Sequence, residues 1–214
     1  DSMARHGAPR CASTSHVVIQ HRIIEWMDSR QRTALVLWLS GPAASGKSAL
    51  AQTIAEHFEA KKRLVGSFFF SCTGSSPSCA NGNCLVPTLV YQLMQVFPET
   101  RAYIEKKIAQ DPAIFSKSRR VQMQMLFCEP LQQFSVRRAM KQVLGKQARL
   151  IVIDGLDECS DTSIQCDILH IIAEVVTKRT IPLKFLITSR PKPHIEQTFI
   201  QSFTDPVVSH IELE

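Results

Sequence analysis

The sequence lacks the features of a membrane or secreted protein. No apolar run in its 214 residues approaches the ~20 residues that a membrane-spanning helix requires. The first residues, Asp1–Arg10, are polar and contain no apolar signal-peptide core. The seven cysteines are odd in number and too sparse for a disulfide-stabilised secreted domain. We therefore expect a cytoplasmic protein with no membrane partner.

Aromatic residues are scarce, at 7% of the chain, and are not interleaved with basic residues as in proteins that bind single-stranded nucleic acid. The net charge of +6 and the pI of about 9.1 would favour nucleic acid only if the basic side chains formed one patch. Instead, they occur in short separate groups: Lys61-Lys62-Arg63, Arg119-Arg120, Arg137-Arg138 and Lys178-Arg179. We interpret these groups as solvated helix faces and turns, and expect no nucleic-acid partner.

The chain has no internal repeat and no low-complexity linker. Its length suits one large α/β domain, and its 44% hydrophobic content supplies a sizeable core. We predict a loop or disordered lead over residues 1–15 and a single domain over residues 16–214. Because the chain opens at Asp1, we expect it to be a fragment of a longer protein.

Apolar runs and helical periodicities alternate along this domain. Continuous apolar runs are typical of strands buried on both faces of a parallel sheet, and they predict strands over Thr33–Leu39, Val65–Cys72, Arg149–Ile153, Leu183–Thr188 and Val207–Leu213. Apolar residues at helical spacing predict helices over His16–Ser29, Ser48–Ala60, Leu85–Phe97, Arg101–Gln110, Arg119–Cys128, Pro130–Leu144 and Ser163–Lys178. The alternation indicates an α/β fold with a parallel sheet.

The segment Gly41–Ser48 matches the phosphate-binding pattern G-x-x-x-x-G-K-[ST] between a predicted strand and a predicted helix. Gly41 and Gly46 allow backbone angles and a close approach that a side chain would prevent. The loop N–H groups and the helix N-terminus then attract an anion, and Lys47 neutralises the β- and γ-phosphates of a nucleotide. The Ser48 hydroxyl is a suitable ligand for Mg²⁺. The predicted phosphate-binding residues are Gly41, Ala44, Ser45, Gly46, Lys47 and Ser48.

An acidic motif, Asp154–Glu158, follows the predicted strand Arg149–Ile153. A carboxylate at the end of a buried strand needs a metal, a hydrogen bond or a cation, so Asp154 suits the Mg²⁺ shell. Asp157 and Glu158 lie just beyond, where a carboxylate orients or deprotonates attacking water, and Glu158 is slightly favoured. Taken alone, the motif also fits a strand end with an acidic turn. The preceding phosphate loop favours the catalytic interpretation.

A third motif, Phe185–Pro191, contains Arg190 and lies at the carboxyl end of a predicted strand. Ligands of α/β proteins bind at this edge of the sheet, so Arg190 is a candidate to contact the γ-phosphate. The alternative is an arginine paired with a surface carboxylate.

Cysteines offer a possible zinc site in one loop. Cys72, Cys79 and Cys84, with Cys128, lack the usual Cys-x-x-Cys spacing, so free loop cysteines are favoured over zinc. Two others are expected to pack as small apolar side chains: Cys159 and Cys166.

Four segments carry a family resemblance: Trp38–Glu56, Ser67–Ser71, Val152–Cys159 and Phe185–Pro191. In this order they resemble the NACHT domain, particularly its nephrocystin-like N-terminal version, which is abundant in fungal signalling proteins. Asp111–Ile114 and Glu129–Leu131 are also similar to segments of that family. The resemblance covers about residues 11–212.

The resemblance implies a STAND-class NTPase, in which a nucleotide operates a signalling switch. It implies a three-layer P-loop sandwich with a five-stranded parallel sheet in the order 5-1-4-3-2. The ADP form of such proteins is closed, and exchange for ATP permits homo-oligomerisation. It also implies an N-terminal effector domain and C-terminal winged-helix and sensor regions, which this chain does not include.

Three features depart from the family pattern: one that we expect to affect the base contact and nucleotide affinity, a smaller change in the phosphate loop, and the Cys72–Cys84 loop, which is specific to this chain. Many members carry Gly-Thr-Arg near the adenine, where this chain has Thr14-Ser15-His16, and Ala44 replaces a common glycine of the phosphate loop.

Three functions remain open from the sequence. The first is a switch module that binds Mg-ATP, with GTP as an alternative, and hydrolyses it slowly. The second is a degenerate nucleotide-binding or protein-interaction module without turnover. The third, a small-molecule kinase, needs a lid and an acceptor pocket, and the motifs at Asp154–Glu158 and Phe185–Pro191 argue against it.

Overall fold

The computed structural model describes residues 16–29, 34–70, 80–136, 148–178, 182–203 and 207–214. Several predicted features lie wholly or partly outside these ranges: the lead over residues 1–15, the first residue of the strand predicted over Thr33–Leu39, the last two residues of the strand predicted over Val65–Cys72, the loop over Cys72–Cys84, and the C-terminal half of the helix predicted over Pro130–Leu144.

The described residues form a five-stranded sheet in which every pairing is parallel. The strand order is β2-β3-β4-β1-β5, which confirms the predicted order 5-1-4-3-2 read from the other edge. The strands are β1 (Val36–Ser40), β2 (Leu64–Phe69), β3 (Arg149–Asp154), β4 (Leu183–Ser189) and β5 (Val208–Glu212).

Eight α-helices are described: α1 (Val17–Asp28), α2 (Lys47–Ala60), α3 (Leu85–Val96), α4 (Arg101–Gln110), α5 (Arg119–Gln122), α6 (Glu129–Val136), α7 (Thr162–Thr177) and α8 (Pro193–Ser202). Within the described ranges, no helix is both long enough and apolar enough to cross a membrane.

The core consists of two layers because successive strand residues point to opposite faces of the sheet. On one face, Leu37 and Leu39 of β1 pack with residues of α1 and α2. On the other, Val36 and Trp38 pack with residues of α3, α7 and α8. Every residue of β1, β3 and β4 is buried, which explains their continuous apolar runs. The molecule is therefore the expected three-layer sandwich.

Two parts of the secondary structure differ from prediction. The helix predicted over Arg119–Cys128 is α-helical only to Gln122, and Met123–Cys128 is a π-helix that runs directly into α6. The helix α8 was not predicted, although Pro193 at its first position and buried Ile195 and Phe199 four residues apart are helical signals.

Buried cations attach the C-terminal end of α1 to the amino end of the sheet. Arg63 donates to the Met27 carbonyl at 3.1 Å, and its Nη1 pairs with Asp28 Oδ1 at 2.5 Å. Lys184 Nζ donates to the carbonyls of Trp26 and Ser29. These carbonyls form the negative end of the helix and lack intrahelical donors, so the cations satisfy them.

Lys184 is almost fully buried, and burial lowers its pKa to about 8, an effect that the neighbouring Arg63 reinforces. An unfolded lysine has a pKa of about 10.4. Between these two values the unfolded state binds more protons than the folded state, so the free energy of unfolding rises with pH in this window.

We expect Lys184→Met to remove this pH dependence. From about pH 7 to about pH 10.5, wild-type protein should gain up to about 3 kcal/mol of unfolding free energy relative to the variant. Urea denaturation at several pH values measures the difference. The exposed Lys106, changed to Met, serves as the control and should retain the wild-type pH profile. A constant difference between wild type and Lys184→Met across the window would contradict the assignment.

Candidate functional site

The phosphate loop joins β1 to α2 at the carboxyl edge of the sheet, and its two glycines are sterically required. Gly41 has φ 155°, and a Cβ there would lie 2.7 Å from the Leu213 carbonyl oxygen. Gly46 has φ 86°, and a Cβ there would lie 2.9 Å from the His16 ring. Both positions therefore admit only glycine, which lets the backbone line the loop directly.

Lys47 extends its side chain into this loop. Its Nζ donates to the carbonyl oxygens of Gly41 at 2.8 Å and Pro42 at 2.5 Å, and to Ser45 Oγ at 3.1 Å. The residue is 8% exposed. The ammonium group is thus held in the concave side of the loop, where the sequence pattern predicts the nucleotide phosphates to lie.

The other charged candidates surround Lys47. Burial lowers the pKa of Lys47, whereas the carboxylates of Asp157 and Asp154 oppose that shift; Arg190 lowers the pKa further and Glu158 raises it. These interactions require proximity, so the structure brings together the loop lysine, the three carboxylates and the arginine that the sequence identified separately.

Asp154 ends β3 with 1% exposure and is fixed by a neighbouring strand. Thr188 Oγ1 donates to Asp154 Oδ1 at 2.6 Å and accepts from the Gly155 N–H at 2.9 Å. One carboxylate oxygen is thereby held in place. Thr188 lies within the predicted motif Phe185–Pro191, but the sequence assigned it no role.

Asp157 lies in a short 3₁₀ turn, Leu156–Glu158, and binds Arg190 through both carboxylate oxygens. The Arg190 backbone N–H donates to Oδ1 at 2.9 Å, and Arg190 Nε lies 2.5 Å from Oδ2. The Asp157 side chain is 3% exposed and that of Arg190 47%. Arg190 therefore pairs with a carboxylate, as the alternative interpretation of the sequence predicted. That carboxylate is buried rather than on the surface.

Glu158 is half-buried at the end of the same turn. Its side chain lies over Gly155, whose φ of 70° reverses the chain after β3. Ser48 is half-buried at the second position of α2, beside Lys47.

His16 contacts the phosphate loop, which the sequence did not predict. Its Nε2 lies 3.2 Å from the Ser45 carbonyl oxygen, and its ring covers Gly46. The segment Thr14-Ser15-His16 departs from the family pattern, and only its last residue, His16, lies within the described residues.

The zinc alternative finds no support in the described part of the chain, where no group of three or more His, Cys, Asp or Glu residues could hold a metal ion. Cys72 and Cys79 lie outside it. Cys159 is buried in the core, as predicted, and Cys166 is half-buried and accepts from Thr198 Oγ1 at 3.3 Å.

The residues present fit a nucleotide phosphate chain with magnesium. Gly41 and Gly46 contribute no Cβ atoms to the loop, and a buried cation lies within it. The Ser48 hydroxyl and the Asp154 carboxylate are hard oxygen donors of the kind that Mg²⁺ prefers. The fold and this loop define a P-loop nucleotide-binding domain of the ATPase type.

A family model described as "Nephrocystin 3, N-terminal" matches residues 13–190. The chain belongs to this family, which confirms the resemblance at that level. A search of curated proteins finds no match.

Similar solved structures support the fold. Drosophila ORC bound to GC-rich DNA and Cdc6 is 12% identical with a TM-score of 0.55, and the match covers 94% of this chain and 29% of that one. Cdc6p from Pyrobaculum aerophilum is 11% identical with a TM-score of 0.50, over 100% of this chain and 49% of that one. This chain thus spans less than half the length of either. At such identities the likeness concerns the fold alone.

Ala44 is a strained position in the loop, with φ 63° in the left-handed region. An L-residue there costs about 1–2 kcal/mol, whereas glycine does not incur this cost. We expect Ala44→Gly to leave the free energy of unfolding unchanged or to raise it by up to about 1 kcal/mol, after the greater flexibility of unfolded glycine is included.

The neighbouring Ala43 provides the control, because it is not among the described residues with positive φ. Ala43→Gly should lower the free energy of unfolding by about 0.5–1 kcal/mol. Urea denaturation of both variants measures the contrast. Equal losses in the two variants would show that position 44 is unstrained.

Proposed function

We propose that this chain binds Mg-ATP and hydrolyses it slowly, as the switch module of a STAND-type signalling protein. The observation that carries the proposal is the buried Lys47 ammonium inside the glycine-built loop, beside the carboxylates of Asp154 and Asp157. A desolvated cation in a ring of backbone groups is suited to a polyanion such as a triphosphate.

In this proposal the loop supplies phosphate binding. The backbone N–H groups of Gly41–Ser48 and the N-terminus of α2 attract the phosphates, and Lys47 exchanges its contacts with the loop carbonyls for phosphate oxygens. Ser48 and Asp154 hold magnesium, and Thr188 keeps the Asp154 carboxylate oriented. Bound Mg²⁺ would neutralise charge on the β- and γ-phosphate oxygens.

Glu158 is the carboxylate that we assign to the attacking water. The two oxygens of Asp157 are engaged by Arg190, so Asp157 acts by positioning that arginine. Arg190, half-exposed at the end of β4, contacts the γ-phosphate and reports its presence. The sequence alone favoured Glu158 over Asp157 only slightly for the role of positioning water.

The switch role derives from the NACHT resemblance and family membership. We propose that an N-terminal effector domain and a C-terminal sensor flank this module in the full protein, that the protein is cytoplasmic, and that the ATP form assembles into a homo-oligomer. GTP is the alternative nucleotide.

We propose nucleotide rather than nucleic acid as the ligand. The Drosophila ORC structure is bound to DNA and Cdc6, but several basic side chains of this chain pair with its own carboxylates. Arg119 pairs with Asp167 at 2.8 Å and Arg120 with Glu174 at 2.9 Å.

The second candidate is a nucleotide-binding or protein-interaction module without turnover. Two observations favour it: Lys47 is satisfied by the loop's own carbonyls, and Ala44 strains the loop. Tight ADP retention without Mg²⁺-dependent phosphate release from wild-type protein would establish this function instead of hydrolysis.

Lys47→Ala should weaken nucleotide binding at least about 30-fold, because a buried charge pair contributes about 2 kcal/mol or more. Isothermal titration calorimetry with Mg-ATP and Mg-GTP measures the affinity. Lys61→Ala, at the opposite end of α2, is the control and should bind as wild type does. An unchanged affinity of Lys47→Ala would refute the phosphate assignment.

Glu158→Gln should lower the rate of phosphate release by about 100-fold or more, because general base catalysis contributes about that much, while ATP affinity is retained. Asp157→Asn should cause a smaller loss, since it weakens the attachment of Arg190 without removing the base. Single-turnover phosphate release distinguishes the two variants. A larger loss for Asp157→Asn would transfer the role of base to Asp157.

A further inference from the structure

Gln165 of α7 is a polar side chain with 1% exposure in an otherwise apolar interface. The hydrophobic core includes Ile168 and Leu169 of the same helix and Ile195 of α8. A buried carboxamide is costly unless its groups are hydrogen-bonded, so an apolar residue would be the simpler choice for packing alone.

Both polar atoms of the Gln165 carboxamide form hydrogen bonds, and their partners lie in different structural elements. Nε2 donates to the Cys159 carbonyl at 2.7 Å and the Asp157 carbonyl at 3.4 Å, at the end of the acidic turn. Oε1 lies 2.6 Å from His194 Nε2 in the first turn of α8, so His194 donates to it. The side chain therefore links the acidic turn to α8.

The segment that runs from Arg190 to α8 also makes contacts with the same turn. Arg190 binds the Asp157 carboxylate, and Lys192 Nζ donates to the Asp157 carbonyl at 3.0 Å. Gln165 Nε2 donates to the same carbonyl at 3.4 Å, while its Oε1 accepts from His194. The turn and the arginine are thus joined by one hydrogen-bond network.

We propose that Gln165 is a positioning residue that fixes the acidic turn, and with it Glu158 and Arg190, relative to the phosphate loop. The proposal rests on the proposed hydrolysis. The hydrogen bonds of Gln165 go to the backbone of the acidic turn and to His194 rather than to the phosphate loop, so we expect its removal to affect the chemical step rather than binding. Second-layer residues of this kind typically contribute about 10–100-fold to activity.

The test compares Gln165→Met, which keeps the size of the side chain but loses its hydrogen bonds, with Thr198→Val. Thr198 lies in the same α7–α8 interface and donates to Cys166 Sγ at 3.3 Å and the His194 carbonyl at 2.6 Å, with no contact to the acidic turn in those bonds. Both variants are compared with wild type for ATP turnover, for nucleotide affinity, and for amide hydrogen exchange at Glu158 and Cys159 relative to β1.

We expect kcat of Gln165→Met to fall about 10-fold or more, with KM and nucleotide Kd within about twofold of wild type. Thr198→Val should stay within about twofold in all three quantities. A kcat loss no larger than that of Thr198→Val, or a parallel rise in KM, would overturn the positioning role.

Amide exchange separates this inference from the proposed function. If wild-type protein shows no turnover, the proposed hydrolysis fails. Faster exchange at Glu158 and Cys159 in Gln165→Met, with β1 unchanged and Thr198→Val normal, then still supports anchoring of the turn by Gln165. Equal exchange in the two variants refutes it.

Discussion

The rest of the site depends on the burial of one positive charge, that of Lys47. Removal from water disfavours the ammonium group, and the loop carbonyls, Asp154 and Asp157 counter that cost. The loop that holds the group requires glycine at positions 41 and 46, where a Cβ would meet Leu213 and His16. The nearby carboxylates need partners in turn, and Thr188 and Arg190 provide them. The loop, both strand ends and the acidic turn are therefore linked by electrostatics.

The parallel sheet makes this arrangement possible. The carboxylates, Thr188 and Arg190 lie at or just after the carboxyl ends of buried strands, and parallel strands bring those ends to one edge. Buried cations at the opposite edge, Arg63 and Lys184, satisfy the last carbonyls of α1. The apolar layers between the two edges contain few polar groups, and Gln165 is notable because it is one of them.

The main strands and most helices were predictable because their signals are local. Fully buried strands are short apolar runs, and long helices repeat their apolar residues over several turns. Prediction was weaker where a tertiary contact compensates for a poor local signal. The helix α8 has only ten residues, and Ile195 and Phe199 are buried by contact with α7 and the sheet. The π-helical segment Met123–Cys128 has no distinctive composition, so helical periodicity alone predicted an ordinary helix.

The sequence by itself determined the phosphate loop, since glycine, lysine and serine at fixed spacing specify a local backbone shape and its charge. It also placed carboxylates and an arginine at strand ends. Only the tertiary structure decided how these groups pair. Ile153 lies beside Ile187 in the β3–β4 register, so the following residues, Asp154 and Thr188, meet although 34 positions separate them. Likewise, the pairing of Asp157 with Arg190 depends on how the 3₁₀ turn presents the Asp157 side chain to the neighbouring strand end, a geometry that sequence spacing does not encode.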